Sequence, residues 1–187
     1  MQKTADKPLQ VEGVRVTYEG PDARLYRVDG ALPRAWVVGT QRVVGSEGEA
    51  LQAVTSPEFD ARGVAVTEQR VDGLAQERSG AAGQAGEADI VHYGPERVEI
   101  QARSQRPGLL VLSDNYYPGW KAKVDGKPVD VERVDYLFRG VRVPAGASTV
   151  EFFYEPLSWR VGWIVSLLAL LGIAAAAVVG RRRRLAR

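Results

Sequence analysis

The residues best able to hold a small polar ligand lie together in one short segment, Ser113-Asp114-Asn115-Tyr116-Tyr117-Pro118-Gly119-Trp120. Tyr116, Tyr117 and Trp120 place aromatic rings beside the carboxylate of Asp114. Sugar rings pack their C–H faces on such π surfaces while neighbouring polar groups take the hydroxyls. Arg139, between Phe138 and Gly140, is a fifth candidate contact. A plainer reading fits the same residues. Trp120 would anchor a core, Pro118-Gly119 would make a tight turn, and Arg139 would be an ordinary surface residue of a strand. Sequence leaves both readings open.

No other group of residues assembles a reaction centre. The chain has one histidine, His92, and no cysteine, which excludes disulfides, thiolate zinc sites and a cysteine nucleophile. No Ser-His-Asp arrangement can be argued from spacing, and no glycine-rich phosphate loop or HExxH run occurs. Asp114, Asp125, Asp130 and Asp135 lack the spacing of a calcium loop. The expectation is a chain without a catalytic residue, a cofactor or a bound metal.

Charge placement bears on partners. The pI is near 9.0, but residues 1–159 carry 19 Lys/Arg against all 23 Asp/Glu, a net −4, while 160–187 hold six Arg and no acid. A basic footprint across the domain is absent, so nucleic acid is not an expected partner. The lipid bilayer is. From Val161 to Gly180 no residue is charged, and a helix of that length, ~30 Å, matches the hydrocarbon thickness of a bilayer. Trp159 and Trp163 stand where indoles favour the headgroup region, and Arg181, Arg182, Arg183 and Arg184 follow the apolar run. The Lys/Arg excess marks the cytoplasmic flank, which places residues 181–187 inside and the soluble part outside. The start, MQKTADKPLQVEG, has no apolar run to export that domain, so membrane helices upstream of Met1 are expected as partners, the chain being a piece of a larger protein. Small residues at spacing four, Gly172, Ala176 and Gly180, would let such helices approach closely.

The soluble part must position the aromatic segment, and its pattern is that of strands. Val11–Tyr18, Ala23–Val28, Ala35–Val38 and Gly63–Thr67 alternate or run apolar between turn residues, and Ser46 with Glu49 marks the cap of a short helix ending near Val54. Residues 72–88 are rich in Gly and Ala and read as a flexible linker between an N-terminal β-rich part, 1–71, and a second part, 89–158. There, Ala88–Tyr93, Arg97–Ala102, Gly108–Ser113, Trp120–Val124, Lys127–Val131, Tyr136–Val143 and Thr149–Tyr154 follow at short spacing. Asp125-Gly126 between two of them is a strong hairpin signal, because a type I′ turn needs positive φ twice. The expected fold is mainly β, an antiparallel sandwich with a short helix, followed by a transmembrane helix over 159–180.

The run LVLSDNYYPGWKAKVDGKPVDVERVDYLFRGVRVPAGASTVEFFYEP, residues 110–156, resembles the C-terminus of YfhO-type bacterial membrane proteins, and ARLYRVDGALPRAWVV, residues 23–38, is similar to the segment preceding it in them. These are multi-spanning proteins related to GT-C glycosyltransferases. The resemblance implies a non-catalytic extracytoplasmic domain and final anchor at the bacterial cell membrane, linked to envelope glycosylation, with an envelope glycan or lipid-linked sugar as its ligand. It carries over no catalytic residue, since the matching positions lie outside the GT-C catalytic loop. Two other readings stay open: a free-standing membrane-tethered carbohydrate-binding or adaptor module, and a structural envelope protein without a ligand.

Overall fold

The computed structural model describes residues 11–77 and 83–185. It divides into two compact units, 1–33 and 34–187. In the first, β1 (Val14–Glu19) and β2 (Arg24–Val28) form an antiparallel hairpin with a register shift between Val16 and Tyr18. Arg24 pairs with Glu19 at 2.7 Å, and Arg15 with Asp29 at 2.6 Å.

The second unit holds β3 (Ala35–Val38), β4 (Thr40–Val43), α1 (Glu47–Val54), β5 (Val64–Thr67), β6 (Ala75–Gln76), β7 (Gln84–Tyr93), β8 (Arg97–Ser104) and β9 (Gly108–Asn115). It continues with β10 (Trp120–Val124), β11 (Lys127–Val129), β12 (Glu132–Val134), β13 (Phe138–Val143), β14 (Gly146–Tyr154) and α2 (Leu157–Leu185). The strands join in the order β11-β10-β14-β8-β7-β3-β9-β13-β12-β5-β4-β6. All pairings are antiparallel except β4 with β5 and β4 with β6. The sheet folds over on itself. Val98 and Ile100 of β8, Ala122 of β10 and Val150 and Phe152 of β14 share one core with Ala35 and Val37 of β3, Leu110 and Leu112 of β9, and Val141 and Val143 of β13. The expectation of a mainly β, sandwich-like domain holds.

Strand β7 joins the two halves, and Gly86 sits at the crossing. It pairs with Ser104 on one side and Val37 on the other, and a Cβ there would lie 1.9 Å from the carbonyl oxygen of Arg103. Here the structure departs from the composition. Residues 84–88 read as linker because the stretch 72–88 is rich in Gly and Ala, yet Ala85 is 2% exposed and the strand begins at Gln84. Small side chains serve close backbone approach in this segment. Residues 78–82 of that stretch lie outside the described residues.

Strands β3 and β9 are buried on both faces, as their unbroken apolar runs require. Their second face, with Trp36, Val38, Leu109 and Val111, is buried as well, and the Trp36 indole donates to Ala61 O at 2.8 Å. The cap expected at Ser46 forms: its hydroxyl accepts from Glu49 N at 3.3 Å, while the Glu49 carboxylate reaches back to Gly45 N at 2.8 Å. Gln41, fully buried, donates to Val71 O at 2.6 Å and accepts from Val71 N at 2.8 Å, tying the chain after β5 to β4.

The Asp125-Gly126 turn also forms, with φ of 51° and 76°. No atom lies within 4 Å of a Cβ built on Gly126, so the cost of a side chain there is conformational alone. Gly126→Val is expected to lower stability by about 1–2 kcal/mol, because a β-branched residue resists positive φ. Chemical denaturation of the two proteins side by side tests this, and equal midpoints would contradict the turn type.

Candidate functional site

The inward-facing rows of the folded sheet end in polar and aromatic side chains at one rim. On β13 the inward positions are Val143, Val141 and then Arg139; on β10 they are Val124, Ala122 and then Trp120. Strand β9 supplies Leu110, Leu112 and then Asp114. Its register against β13 jumps from Leu112 opposite Arg139 to Asn115 opposite Phe138, so Ser113 and Asp114 leave the ladder. Ser113 N instead donates to Arg34 O at 2.9 Å. A second irregularity, in β7, brings in a residue that sequence reasoning missed. Ile90 opposes Ile100 and His92 opposes Glu99, which leaves Val91 as an extra residue and turns Tyr93 to the side of its partner Val98. Bulges of this kind re-aim side chains.

These ends surround an open cleft of about 410 Å³, lined by Arg34, Tyr93, Asp114, Tyr117, Trp120 and Arg139 together with backbone-rich loop residues. Asp114 lies between two guanidinium groups: Oδ1 accepts from Arg34 Nη1 and Oδ2 from Arg139 Nη2, each at 2.8 Å. The Tyr93 hydroxyl lies 3.1 Å from Arg34 Nη1 and 3.2 Å from Asp114 Oδ1. The Arg139 guanidinium stacks on Trp120 with its carbon 3.7 Å from the ring centroid, and Phe152 lies 5.7 Å away. Tyr117 and Trp120 both meet Tyr154, at 5.6 and 5.4 Å between centroids.

The reading of Arg139 as a surface strand residue is corrected. It is 3% exposed, because its position shares the inward parity of Val141 and Val143. Burial lowers its pKa from the ordinary arginine value, and the Asp114 charge opposes that shift. Its Nε and Nη1 are shut from solvent with no hydrogen-bond partner among the described residues.

Of the five candidate contacts, Asp114, Tyr117, Trp120 and Arg139 line the cleft, and Tyr116 is not among its lining residues. The backbone N–H of Tyr116 donates to Leu137 O at 2.7 Å. Arg34 and Tyr93 complete the group from 80 and 21 residues away from Asp114. The structural roles are also present. Pro118-Gly119 is a bend with φ of 108° at Gly119, whose carbonyl accepts from Glu155 N at 2.8 Å, and a Cβ there would meet the Tyr154 ring at 2.7 Å. His92 stands outside the cleft, and no group of three His, Asp or Glu able to hold a metal occurs among the described residues.

Tyr154, which packs on the cleft residues Tyr117 and Trp120, is three residues ahead of Leu157, where the long C-terminal helix α2 begins. Over Leu157–Ala174 its mean hydropathy is 1.7 and none of it is buried, so α2 is long and apolar enough to cross a membrane. Trp159 and Trp163 lie in its first turns, 70% and 63% exposed. The helical backbone runs on through Arg181, Arg182, Arg183 and Arg184.

The family model described as "Bacterial membrane protein YfhO" matches residues 66–166, more than half of the chain. The chain belongs to the YfhO family. The match takes in Tyr93, the whole of 113–120, Arg139 and the first turns of α2, and stops short of Arg34 and the β1–β2 hairpin. The chain is similar to "Uncharacterized protein YfhO" of Bacillus subtilis (strain 168), 29% identical over 84 residues. Those residues are 45% of this chain and 10% of that protein, so the chain spans about a tenth of the length of this YfhO relative. No solved structure matches. Family membership and an apolar helix of spanning length together make this a membrane protein.

Proposed function

We propose that the chain is a non-catalytic extracytoplasmic domain and membrane anchor of a YfhO-like polytopic membrane protein, and that its cleft receives an envelope glycan during cell-envelope glycosylation. The observation that carries the reading is the cleft itself. Aromatic faces, a carboxylate and guanidinium groups converge at the open end of the sandwich, next to the start of the apolar helix. A sugar entering there would stack on Tyr117, half exposed at 49%, and exchange hydroxyl bonds with Asp114 and Arg34. The guanidinium-rich end of α2 supports an orientation with 181–187 in the cytoplasm and the cleft outside. Other membrane helices of the same parent protein would then surround α2, whose described apolar side chains, Leu157, Val161 and Leu168 among them, are exposed.

The test is titration of the full chain in lipid nanodiscs with cell-wall glycan fragments, following the indole signal of Trp120. Saturable shifts are expected, and Tyr117→Ala should remove them while changing stability by no more than about 1 kcal/mol, since the ring is half exposed. Absence of any glycan-dependent shift would defeat the reading. Orientation is checked separately, by tagging both termini and exposing intact cells to protease: the soluble part should be cut and the basic tail protected.

A further inference from the structure

Resting on the reading of this cleft as a binding site, we propose that it recognises the phosphate group of its ligand, with Arg34 as the direct contact and Arg139 as the buried charge beneath it. Charge is the first ground. One carboxylate, Asp114, is shared by two guanidinium groups, so the cluster keeps a net positive charge even with both ion pairs made. The second ground is burial. The Arg139 side chain is 4% exposed, and its Nε and Nη1 find no acceptor among the described residues. Burying a charge and leaving two of its donors unpaired is costly, and the field of such a group is weakly screened. An anion in the cleft offsets that cost; a neutral ligand does not.

The third ground is the kind of surface available. Arg34, 53% exposed, stands at the mouth with the Tyr93 hydroxyl 3.1 Å from its Nη1. A guanidinium fork beside hydroxyl groups suits phosphate oxygens. Trp120 covers one face of the Arg139 guanidinium at 3.7 Å, which holds the buried charge in place and keeps water from that face. Position narrows the choice of anion. Tyr154, which packs on the cleft residues Tyr117 and Trp120, is three residues from the membrane-spanning helix, where phosphate is the abundant anion, carried either by lipid headgroups or by phosphoesters outside the bilayer.

The experiment uses the full chain in micelles of a polyoxyethylene alkyl ether, a detergent with neither phosphate nor sugar, with methyl phosphate and uncharged methyl glucoside as separate probes and the Trp120 indole as reporter. Methyl phosphate should saturate at roughly tenfold lower concentration than methyl glucoside, and 0.5 M salt, an added ~0.5 M of screening ions, should weaken it. Arg34→Gln should raise the phosphate Kd about fivefold or more, while Asp114→Asn, which removes the only carboxylate of the cluster, should tighten phosphate and weaken glucoside. Should Asp114→Asn fail to fold, the exposed Arg34→Gln still decides the matter. Glucoside binding without phosphate binding overturns the inference and leaves the glycan reading standing. Phosphate binding without glucoside binding supports the inference and defeats the glycan reading; no response to either defeats both. Repeating the titration in phosphatidylglycerol discs identifies the source: loss of the response to added phosphate points to a lipid headgroup, and an unchanged response to a soluble phosphoester.

Discussion

Gly86→Ala is expected to unfold the 34–185 unit or to destabilise it by about 3 kcal/mol or more, the largest effect of any single methyl group added here. The added Cβ would lie 1.9 Å from Arg103 O, 2.8 Å from Arg103 C and 2.8 Å from Ser104 Cα, all backbone atoms. A side chain can rotate away from an intruding methyl; a strand held on both sides cannot. Strand β8 is fixed between β7 and β14, and its partner residue Ser104 is itself 7% exposed. Relief therefore requires β7 to part from β8 at the point where the sheet crosses from one half of the sandwich to the other. Gly83→Ala is the control, since nothing lies within 4 Å of its Cβ, and it should stay within about 0.5 kcal/mol of the parent. Denaturant unfolding followed by Trp fluorescence measures both. Parent-like stability in Gly86→Ala would show that the strands do not cross as described.

Asp135→Asn is expected to stabilise the protein at pH 8 and to leave it unchanged near pH 4. Asp135 follows β12 with φ of 48°, and its N–H donates to Val66 O at 2.8 Å while its Oδ1 accepts from Val66 N at 2.8 Å. The carboxyl thus takes the place of a strand residue at the junction of β12 and β5. It is 5% exposed, and Oδ2 has no partner among the described residues. Burial raises its pKa from 3.8 to about 7, against the opposing effect of the Val66 hydrogen bond. The sign follows from which state holds the proton. Below the unfolded value both states are protonated and the contribution to stability is full. Between there and about pH 7 the unfolded chain has lost its proton while the folded protein keeps it, so stability falls as pH rises. The loss has an upper bound of about 4 kcal/mol, at 1.36 kcal/mol per pKa unit. Asn keeps the oxygen facing Val66 N, tolerates positive φ, and carries no charge at any pH. The difference between variant and parent should therefore grow from near zero at pH 4 to about 2–4 kcal/mol at pH 8. Other carboxylates cancel in this difference, including Glu77, whose pKa the Arg42 hydrogen bond lowers. A pH-independent difference would mean that Asp135 ionises normally.

Arg139, Tyr93 and Gly86 differ in how far sequence could reach them. Arg139 was within reach. In Phe138–Val143 it falls on the same parity as Val141 and Val143, and extending that alternation by one step would have put it inside. Its charge argued for the surface, and the ion pair to Asp114 with the Trp120 face is what overrides that preference. Tyr93 was out of reach. Strict alternation from Ile90 would send it outward, and only the extra residue Val91 turns it back. Gly86 was misleading, since an Ala- and Gly-rich run reads the same whether it is a linker or a strand that must pass close to another backbone.

Local chemistry by itself determined the turn at Asp125-Gly126, the cap at Ser46, the alternating faces of the strands in the second half, the apolar span of α2 and the resemblance that the family match later supported. Each depends on residues a few positions apart, whose φ preferences and side-chain periods act before any distant contact forms. Tertiary structure alone decided which strands are neighbours, that β7 bridges both halves, and that Arg34, Tyr93 and Arg139 meet around Asp114. Those outcomes come from bulges and from the match of one buried face to another, and pairing across 21 to 80 residues leaves no periodic trace in the chain.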